Sequence, residues 1–321
     1  MRLRLIREAQ DAAPAVAAET GQGWVPVRFL PGITDETSQS MVAFLEYAKG
    51  KAETLQEAAE HASAHALPDA SIESMLPFRP VLFRDFMLTE AHMVSATRNM
   101  AKRFMPGAYA VGHAFEVVTR HTFPPFKPSH EFTEHPLYYK GNHLQMIGDG
   151  EQALYPDYAT VLDYELELGF IITRSVRNCT PEEGLSAIGG FCIVDDFSAR
   201  NVQIAEMCHT GTGPCKTKDF ATGMSDIVVT PDEVLPYLGA LKGRVSIDGV
   251  ELAEGTVGGF GFSLGEAVAY ASEGETVYPG ELMATGTIPG CCGIENGILL
   301  KRGDSIRLEI DRIGSLENTI A

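Results

Sequence analysis

Residues 162–170 read LDYELELGF, in which Leu162, Tyr164, Leu166, Leu168 and Phe170 alternate with positions that include Asp163, Glu165 and Glu167. The period of two predicts a half-buried strand. Side chains two apart on a strand project to the same side, about 7 Å from each other. Two buried carboxylates at that separation repel by about 2.5 kcal/mol at an effective dielectric of about 20, and desolvation adds to the cost. A hard divalent cation between them reverses the sign. Oxygen-only donors select Mg²⁺, Mn²⁺ or Ca²⁺ over zinc. The competing reading is a wet, acidic outer strand, and this stretch alone does not choose between the two.

A second acidic stretch favours the ion. CIVDDFSARNVQ, 192–203, runs from a buried strand towards a helix, and the spacing predicts Asp196, Arg200 and Gln203 on one helical face. An exposed Asp–Arg pair contributes under about 1 kcal/mol. It does not account for a row of such groups starting where a buried strand ends. Further along, GPCKTKDFATG at 213–223 places Lys218 and Thr222 in a Gly/Pro-bounded segment. Upstream, FRDFMLTEAHMVSATRNM holds Asp85 and His92, which share a helical face if the helix begins at Asp85. MATGTIPGCCGIENG at 283–297 is Gly-rich and offers backbone N–H groups and Thr287 to a ligand, although a Gly-rich loop by itself is only a turn.

These groups need elements to position them. MRLRLI and GWVPVRFL read as strands near the start. Residues 36–66 have helical spacing at Met41, Phe44, Leu45 and Ala48, followed by a helical insertion at 51–66. His61 and His65 lie four apart there, and with no third ligand in sight they read as a solvated helix face. From about residue 76, Pro, Gly and β-branched residues predict strands with only short helices. TPEE at 180–183 is a capping box opening a helix that should end at Gly189-Gly190, and TPDE at 230–233 predicts a second such start. GRVSIDGVELAEG reads as a hairpin about Asp248-Gly249. RGDSIRLEI is a turn and strand with Ile306, Leu308 and Ile310 inward. No dinucleotide or phosphate-loop fingerprint is present. The expected fold class is β-rich α+β, with a small N-terminal module over 1–75 and a catalytic domain over 76–321.

The chain has 321 residues, 45% hydrophobic and 21% charged, with a formal net charge of −18. That field repels nucleic acid and anionic membranes, and an acidic substrate would need local cations. No apolar run is long enough for a membrane span, and the first residues do not read as a signal peptide. Cys179, Cys192, Cys208, Cys215, Cys291 and Cys292 form no C-x-x-C pair and read as reduced thiols of a cytoplasmic protein.

Taken in order, D-x-E-x-E (163–167), D-x-S-A-R-x-x-Q (196–203), K-D-F-A-T (218–222), T-G-T (285–287) and the closing GDSIRLEIDRIGSLENTI resemble the fumarylacetoacetate hydrolase superfamily over about residues 76–321. FRDFMLTEAH is similar to a D-F-x-x-F-E-x-H segment of many members. The resemblance implies a mixed β-sandwich roll, a homodimer and a site for Mg²⁺, with Mn²⁺ or Ca²⁺ as alternatives. It implies Asp85, Glu165, Glu167 and Asp196 as metal ligands and His92 as general base. Arg200, Gln203, Lys218, Thr287 and Gly286 would face the substrate, as would Tyr139 in YYKGN, with Thr222 behind the ligands. Asp163 is expected at the rim. A glutamate that orients the histidine is expected past T-G-T, where a simple alignment places Lys301. Glu295 and Glu90 are both open as substitutes.

The activity implied is metal-dependent hydrolysis of a carbon–carbon bond in a 1,3-dicarbonyl or acylpyruvate-type 2-oxo acid. The same scaffold supports decarboxylation, hydration or isomerisation of 2-oxo acids. A non-catalytic dimeric metal-binding scaffold is a further alternative.

Overall fold

A computed structural model describes residues 1–8 and 13–321. Its main feature is a 12-stranded sheet. The central path runs Gly23–Pro26, Ala15–Thr20, Arg2–Arg7, Ile227–Val229, Ile188–Asp195, Glu165–Ile172, Glu281–Cys292, Leu82–Phe86 and Tyr138–Gly141. Neighbours along this path are antiparallel except Glu281–Cys292 with Leu82–Phe86, which run parallel. A five-stranded sheet is built from Val250–Thr256, Lys242–Ile247, Ser305–Ile310, Gly314–Ile320 and Gln152–Ala153.

The core lies on both sides of the main sheet. Leu166, Leu168, Phe170 and Ile193 pack with Val245, Leu308 and Ile310 of the second sheet. Ile171, Cys192 and Val194 pack on the other side with Met41, Phe44 and Leu45. Each such side chain contributes about 1.5–3 kcal/mol on full burial. Every residue of Glu165–Ile172 and Ile188–Asp195 is therefore buried. The expectation of a half-buried strand is corrected: the polar side of 163–167 faces a covered pit, and the wet outer strand is excluded.

Several local expectations hold. Met41, Phe44, Leu45 and Ala48 are the buried face of helix Met41–Ala48, and the 51–66 insertion is helical over Ala52–His61. His61 and His65 are an exception: both are exposed, but the helix ends at His61, and His65 lies in the 3-10 turn Ser63–His65 with its ring stacked on Phe29 at 3.9 Å, so the two share no helix face. Thr180 and Glu183 complete their capping box. Asp248 and Gly249 form the hairpin turn at positive φ, and Ile306, Leu308 and Ile310 point inward.

Others do not hold. The helix after Thr180 ends at Ala187, and Gly189-Gly190 lie inside the strand Ile188–Asp195. A Cβ at Gly190 would sit 2.9 Å from Leu45 and Val228 side-chain atoms, so packing, not termination, is the reason for glycine there. TPDE gives only a short 3-10 turn, Pro231–Glu233, because the Thr230 hydroxyl accepts from the Met1 amino group at 2.7 Å and does not cap. The region after residue 76 contains two long helices, Glu90–Phe104 and Pro106–Thr119. Their fully buried residues are Ala101 and Gly112, so neither carries the apolar core stripe that betrays a helix in sequence. No helix among the described residues is long and apolar enough to cross a membrane. Residues 1–75 contribute four strands to the sheet that carries the acidic pit, with Leu3 opposite Val228 and Leu5 opposite Met75.

Candidate active site and metal centre

Three of four adjacent strands deliver the acidic groups, and the fourth, Glu281–Cys292, delivers Thr287. Glu167 is registered opposite Thr287, and Ala284 opposite Asp85, so three strands bring their polar side chains to one place. Asp196 follows the end of Ile188–Asp195, where its N–H donates to the Glu165 carbonyl at 3.1 Å. Potential ligand oxygens of Asp85, Glu167 and Asp196 lie within 4.8 Å of one another. All three residues are buried. Burial, then the charge of Asp196, pushes the Asp85 carboxyl well above the ordinary range. Burial, then Asp85 and Asp196, does the same to Glu167. Burial also raises Asp196, against the pull of Lys218.

Glu167 Oε2 and Asp196 Oδ1 are buried without a hydrogen-bond partner. Orphaned acceptors of this kind cost about 1–3 kcal/mol each unless a ligand satisfies them. The residues thus fit a hard divalent cation: all donors are oxygen, they converge, and two of their oxygens are unclaimed. Tyr139 reaches into the same pit and its hydroxyl donates to Asp85 Oδ2 at 3.0 Å and to Asp196. Thr287 Oγ1 lies 3.4 Å from Glu167 Oε1.

Glu165 has different company. It accepts from Arg200 Nη2 at 2.7 Å and from Lys218, and Lys218 also donates to Asp196. Burial alone would raise the Glu165 carboxyl, but Arg200 and Lys218 outweigh it and hold it well below the usual range. Burial alone would lower Lys218, and Asp196 and Glu165 outweigh that, so the ammonium is retained. Arg200 Nη1 donates to Gln203 Oε1 at 2.8 Å.

Asp163 is not at the rim. It is fully buried, because it accepts from Arg200 Nε at 2.7 Å and from the N–H groups of Gly293 and Ile294 at 2.7 and 2.9 Å. Those N–H groups open the short helix Gly293–Asn296, which carries Glu295. A side chain at 293 would meet the Asp163 carboxylate at 2.4 Å, so only glycine lets the carboxylate approach this closely. Glu295 Oε2 lies 3.2 Å from His92 Nδ1, without the alignment of a full hydrogen bond, and His92 Nε2 lies 3.6 Å from Glu165 Oε1. Of the open substitutes for the histidine's partner, the geometry selects Glu295.

The spacing arguments for two pairs are corrected. Asp85 ends a strand, Leu82–Phe86, while His92 sits in the first turn of Glu90–Phe104, so no single helix joins them. Asp196 lies between the strands Ile188–Asp195 and Ser198–Ala199, and only Arg200 and Gln203 are on the helix Arg200–Ile204. Both sets still converge, through tertiary folding instead of helical register. Gly286 has φ +81, and a Cβ there would lie 2.4 Å from the Phe86 carbonyl, so glycine is needed for close passage of the two strands. Thr222 is buried in the strand Thr222–Met224, opposite Met146, and its side chain makes no hydrogen bond to the acidic cluster. Not singled out in the sequence are Asp195, whose carboxylate holds the Glu165 N–H at 2.9 Å, and an apolar roof.

That roof belongs to one cavity of about 340 Å³. Its floor is Asp85, Glu165, Glu167, Asp196, Arg200 and Lys218, with His92, Tyr139, Gln203 and Thr287 around it. Its upper wall comes from the two long helices and the segment after them.

Residues 107–321 match the family model described as fumarylacetoacetate (FAA) hydrolase C-terminal. This chain belongs to the fumarylacetoacetate hydrolase family. Over 176 residues it is 31% identical to a 2,4-didehydro-3-deoxy-L-rhamnonate hydrolase of Sphingomonas sp. (strain SKA58), a match covering 54% of this chain and 61% of that protein. Over 242 residues it is 27% identical to the homoprotocatechuate catabolism bifunctional isomerase/decarboxylase of Escherichia coli, covering 70% of this chain and 54% of that protein. The chain thus spans only 54–61% of these relatives' own length. The crystal structure of maleylpyruvate hydrolase from Sphingobium sp. SYK-6, in complex with manganese(II) ion and pyruvate, has the same fold, with a TM-score of 0.68 at 16% identity. That match covers 100% of this chain and 99% of the other. The expected β-rich α+β architecture of the fumarylacetoacetate hydrolase type is therefore the observed one.

Proposed function

We propose that this member of the fumarylacetoacetate hydrolase family hydrolyses a carbon–carbon bond of an acylpyruvate-type 2-oxo acid. The observation that carries the reading is the contact of His92 with Glu295 at the edge of a pit holding Asp85, Glu167 and Asp196. Asp85, Glu167 and Asp196 are the proposed ligands of a divalent cation, with Glu165 as the fourth. Mg²⁺ is the first candidate and Mn²⁺ or Ca²⁺ the alternatives. Such a cation, when bound, supplies Lewis-acid polarisation of the two neighbouring oxygens of a 2-oxo acid.

The chain's own residues do the rest. His92 takes a proton from water, and the water oxygen bonds to the distal acyl carbon. Glu295 holds the ring and offsets the charge His92 acquires. The bond between the acyl carbon and the adjacent methylene then breaks, its electron pair stays with the pyruvate fragment, and a proton from His92 completes pyruvate. The products are a carboxylic acid and pyruvate. Lys218 and Gln203 are placed to stabilise the oxyanion, and Arg200 or Lys218 to pair with the substrate carboxylate. Tyr139, Thr287 and the backbone at Gly286 would contact substrate, and Thr222 would support the strand behind the ligands.

The test is product analysis by NMR on an acylpyruvate with Mg²⁺ or Mn²⁺ present. Pyruvate and the free acid in equal amounts support the reading, and His92→Ala should lower kcat by about 10²–10⁴-fold. Loss of CO2 or mere tautomerisation, without bond cleavage, would move the protein to the decarboxylase or isomerase reading. A homodimer is proposed as well, supported by Val111, Val117 and Val118, which stand 63%, 50% and 81% exposed on one helix. Light scattering checks it.

A further inference from the structure

The cavity above the acidic floor is almost wholly apolar. Helix Glu90–Phe104 presents His92, Met93, Ala96, Thr97, Met100 and Ala101 to it, the residues of one helical face. From His92 to Met100 is about 12 Å along the axis at 1.5 Å per residue. The wall thus begins at the proposed base and leads away from it. Met105, Phe123 and Phe126 line it beyond the helix, and Ile204 and Met207 line it next to Arg200 and Gln203.

Charge is confined to the floor. Among the described residues, the Lys and Arg side chains lining the cavity are Arg200 and Lys218, and both are held by Asp163, Glu165 or Asp196. Arg98 lies on the same helix but does not line the cavity, and its Nε and Nη2 donate to Glu116 at 3.0 and 2.8 Å. A second carboxylate on the far part of a substrate would find no cation, and burying it unpaired costs several kcal/mol. The net charge of −18 adds long-range repulsion of a dianion. The wall is also adaptable. Met87, Met93, Met100, Met105 and Met207 are five of the chain's 11 methionines, unbranched side chains that re-pack around ligands of varied shape.

We infer that the acyl arm of the substrate is uncharged and apolar and lies among Met93, Ala96, Met100, Met105, Phe123 and Phe126, so that the protein selects mono-acids over diacids. The inference rests on the proposed 2-oxo acid head group but not on which bond is cleaved. A cavity of about 340 Å³ is at the small end of ligand sites, so the arm is of modest length.

The test compares pyruvates acylated with acetyl, hexanoyl and adipoyl groups. The hexanoyl and adipoyl arms share six carbons and differ by a terminal carboxylate. Dissociation constants are measured by calorimetry on the full chain with Mn²⁺, and kcat/KM on the same compounds. Affinity should rise about fourfold per methylene from acetyl to hexanoyl until the chamber is full. The adipoyl compound should bind at least 100-fold more weakly than the hexanoyl one. Met100→Arg should narrow that ratio at least tenfold. If the adipoyl compound binds as well as the hexanoyl one, or if none of the three binds, the inference is overturned. If they bind in the expected order but none is cleaved, the arm assignment stands and the hydrolase reading falls. Should Met100→Arg not fold, the ratio in the unaltered protein still decides.

Discussion

Asp163 and Glu295 meet at one short helix: the Asp163 carboxylate receives the N–H groups of Gly293 and Ile294, and Glu295, one residue on, reaches towards His92. An acid on the strand beside the acidic pit therefore fixes the acid that faces the proposed base. Asp163→Asn should break the buried pair with Arg200 and loosen this helix together. The expected cost is about 3–5 kcal/mol in a urea titration, because Arg200 is left buried with a weaker partner. An unchanged urea midpoint would mean that the helix is anchored by something else.

Glu295→Gln keeps the shape and removes the charge. We expect kcat on an acylpyruvate to fall by about 100-fold with KM nearly unchanged, and His92→Ala in that background to cost far less than it does alone. Independent, multiplicative effects of the two substitutions would separate Glu295 from the histidine.

The metal-free pit is a set of like charges forced together. Glu167→Gln should raise the melting temperature of chelator-treated protein, equivalent to about 1 kcal/mol or more, while abolishing stabilisation by Mn²⁺. The unaltered protein should gain about 2.7 kcal/mol when Mn²⁺ exceeds its Kd a hundredfold. Thermal shifts with and without Mn²⁺ check both directions, and a destabilised apo variant would show that repulsion is not what Glu167 contributes.

The other face of the strand that carries Asp85 offers a control. Arg84, one residue before Asp85, is fully buried and pairs with buried Glu281 at 2.9 Å and with partly exposed Glu275 at 2.9 Å. Glu281→Gln should cost about 3 kcal/mol and Glu275→Gln under about 1 kcal/mol, both without change in metal affinity. Equal costs would refute the ranking by burial.

The acidic floor was legible in sequence because its parts lie on strands, where a period of two assigns sides without knowledge of the partner strand. Glu165 and Glu167 were put on one side by the local pattern, whereas Asp196 joined them only through the family resemblance. Asp163 was misplaced because the same pattern cannot say that the Gly293–Ile294 backbone, 130 residues away in the chain, comes to meet it. Glu295 remained one of several choices for the same cause. The roof escaped notice because Glu90–Phe104 and Pro106–Thr119 cover a cavity and carry no core stripe. The Asp85–His92 and Asp196–Arg200 spacings suggested the right neighbours through the wrong element, since a strand end and a helix start can meet wherever the sheet brings them.

Lys218 bridges Glu165 and Asp196 with its ammonium. The polypeptide thus brings an internal counterion to its most crowded anionic point. Small domains organised wholly by zinc unravel when stripped, since their ligands have nothing else to gather around. Here the amine offsets part of the cluster's charge within the fold itself, so an ion bound there as proposed would act as a reagent instead of serving as a strut.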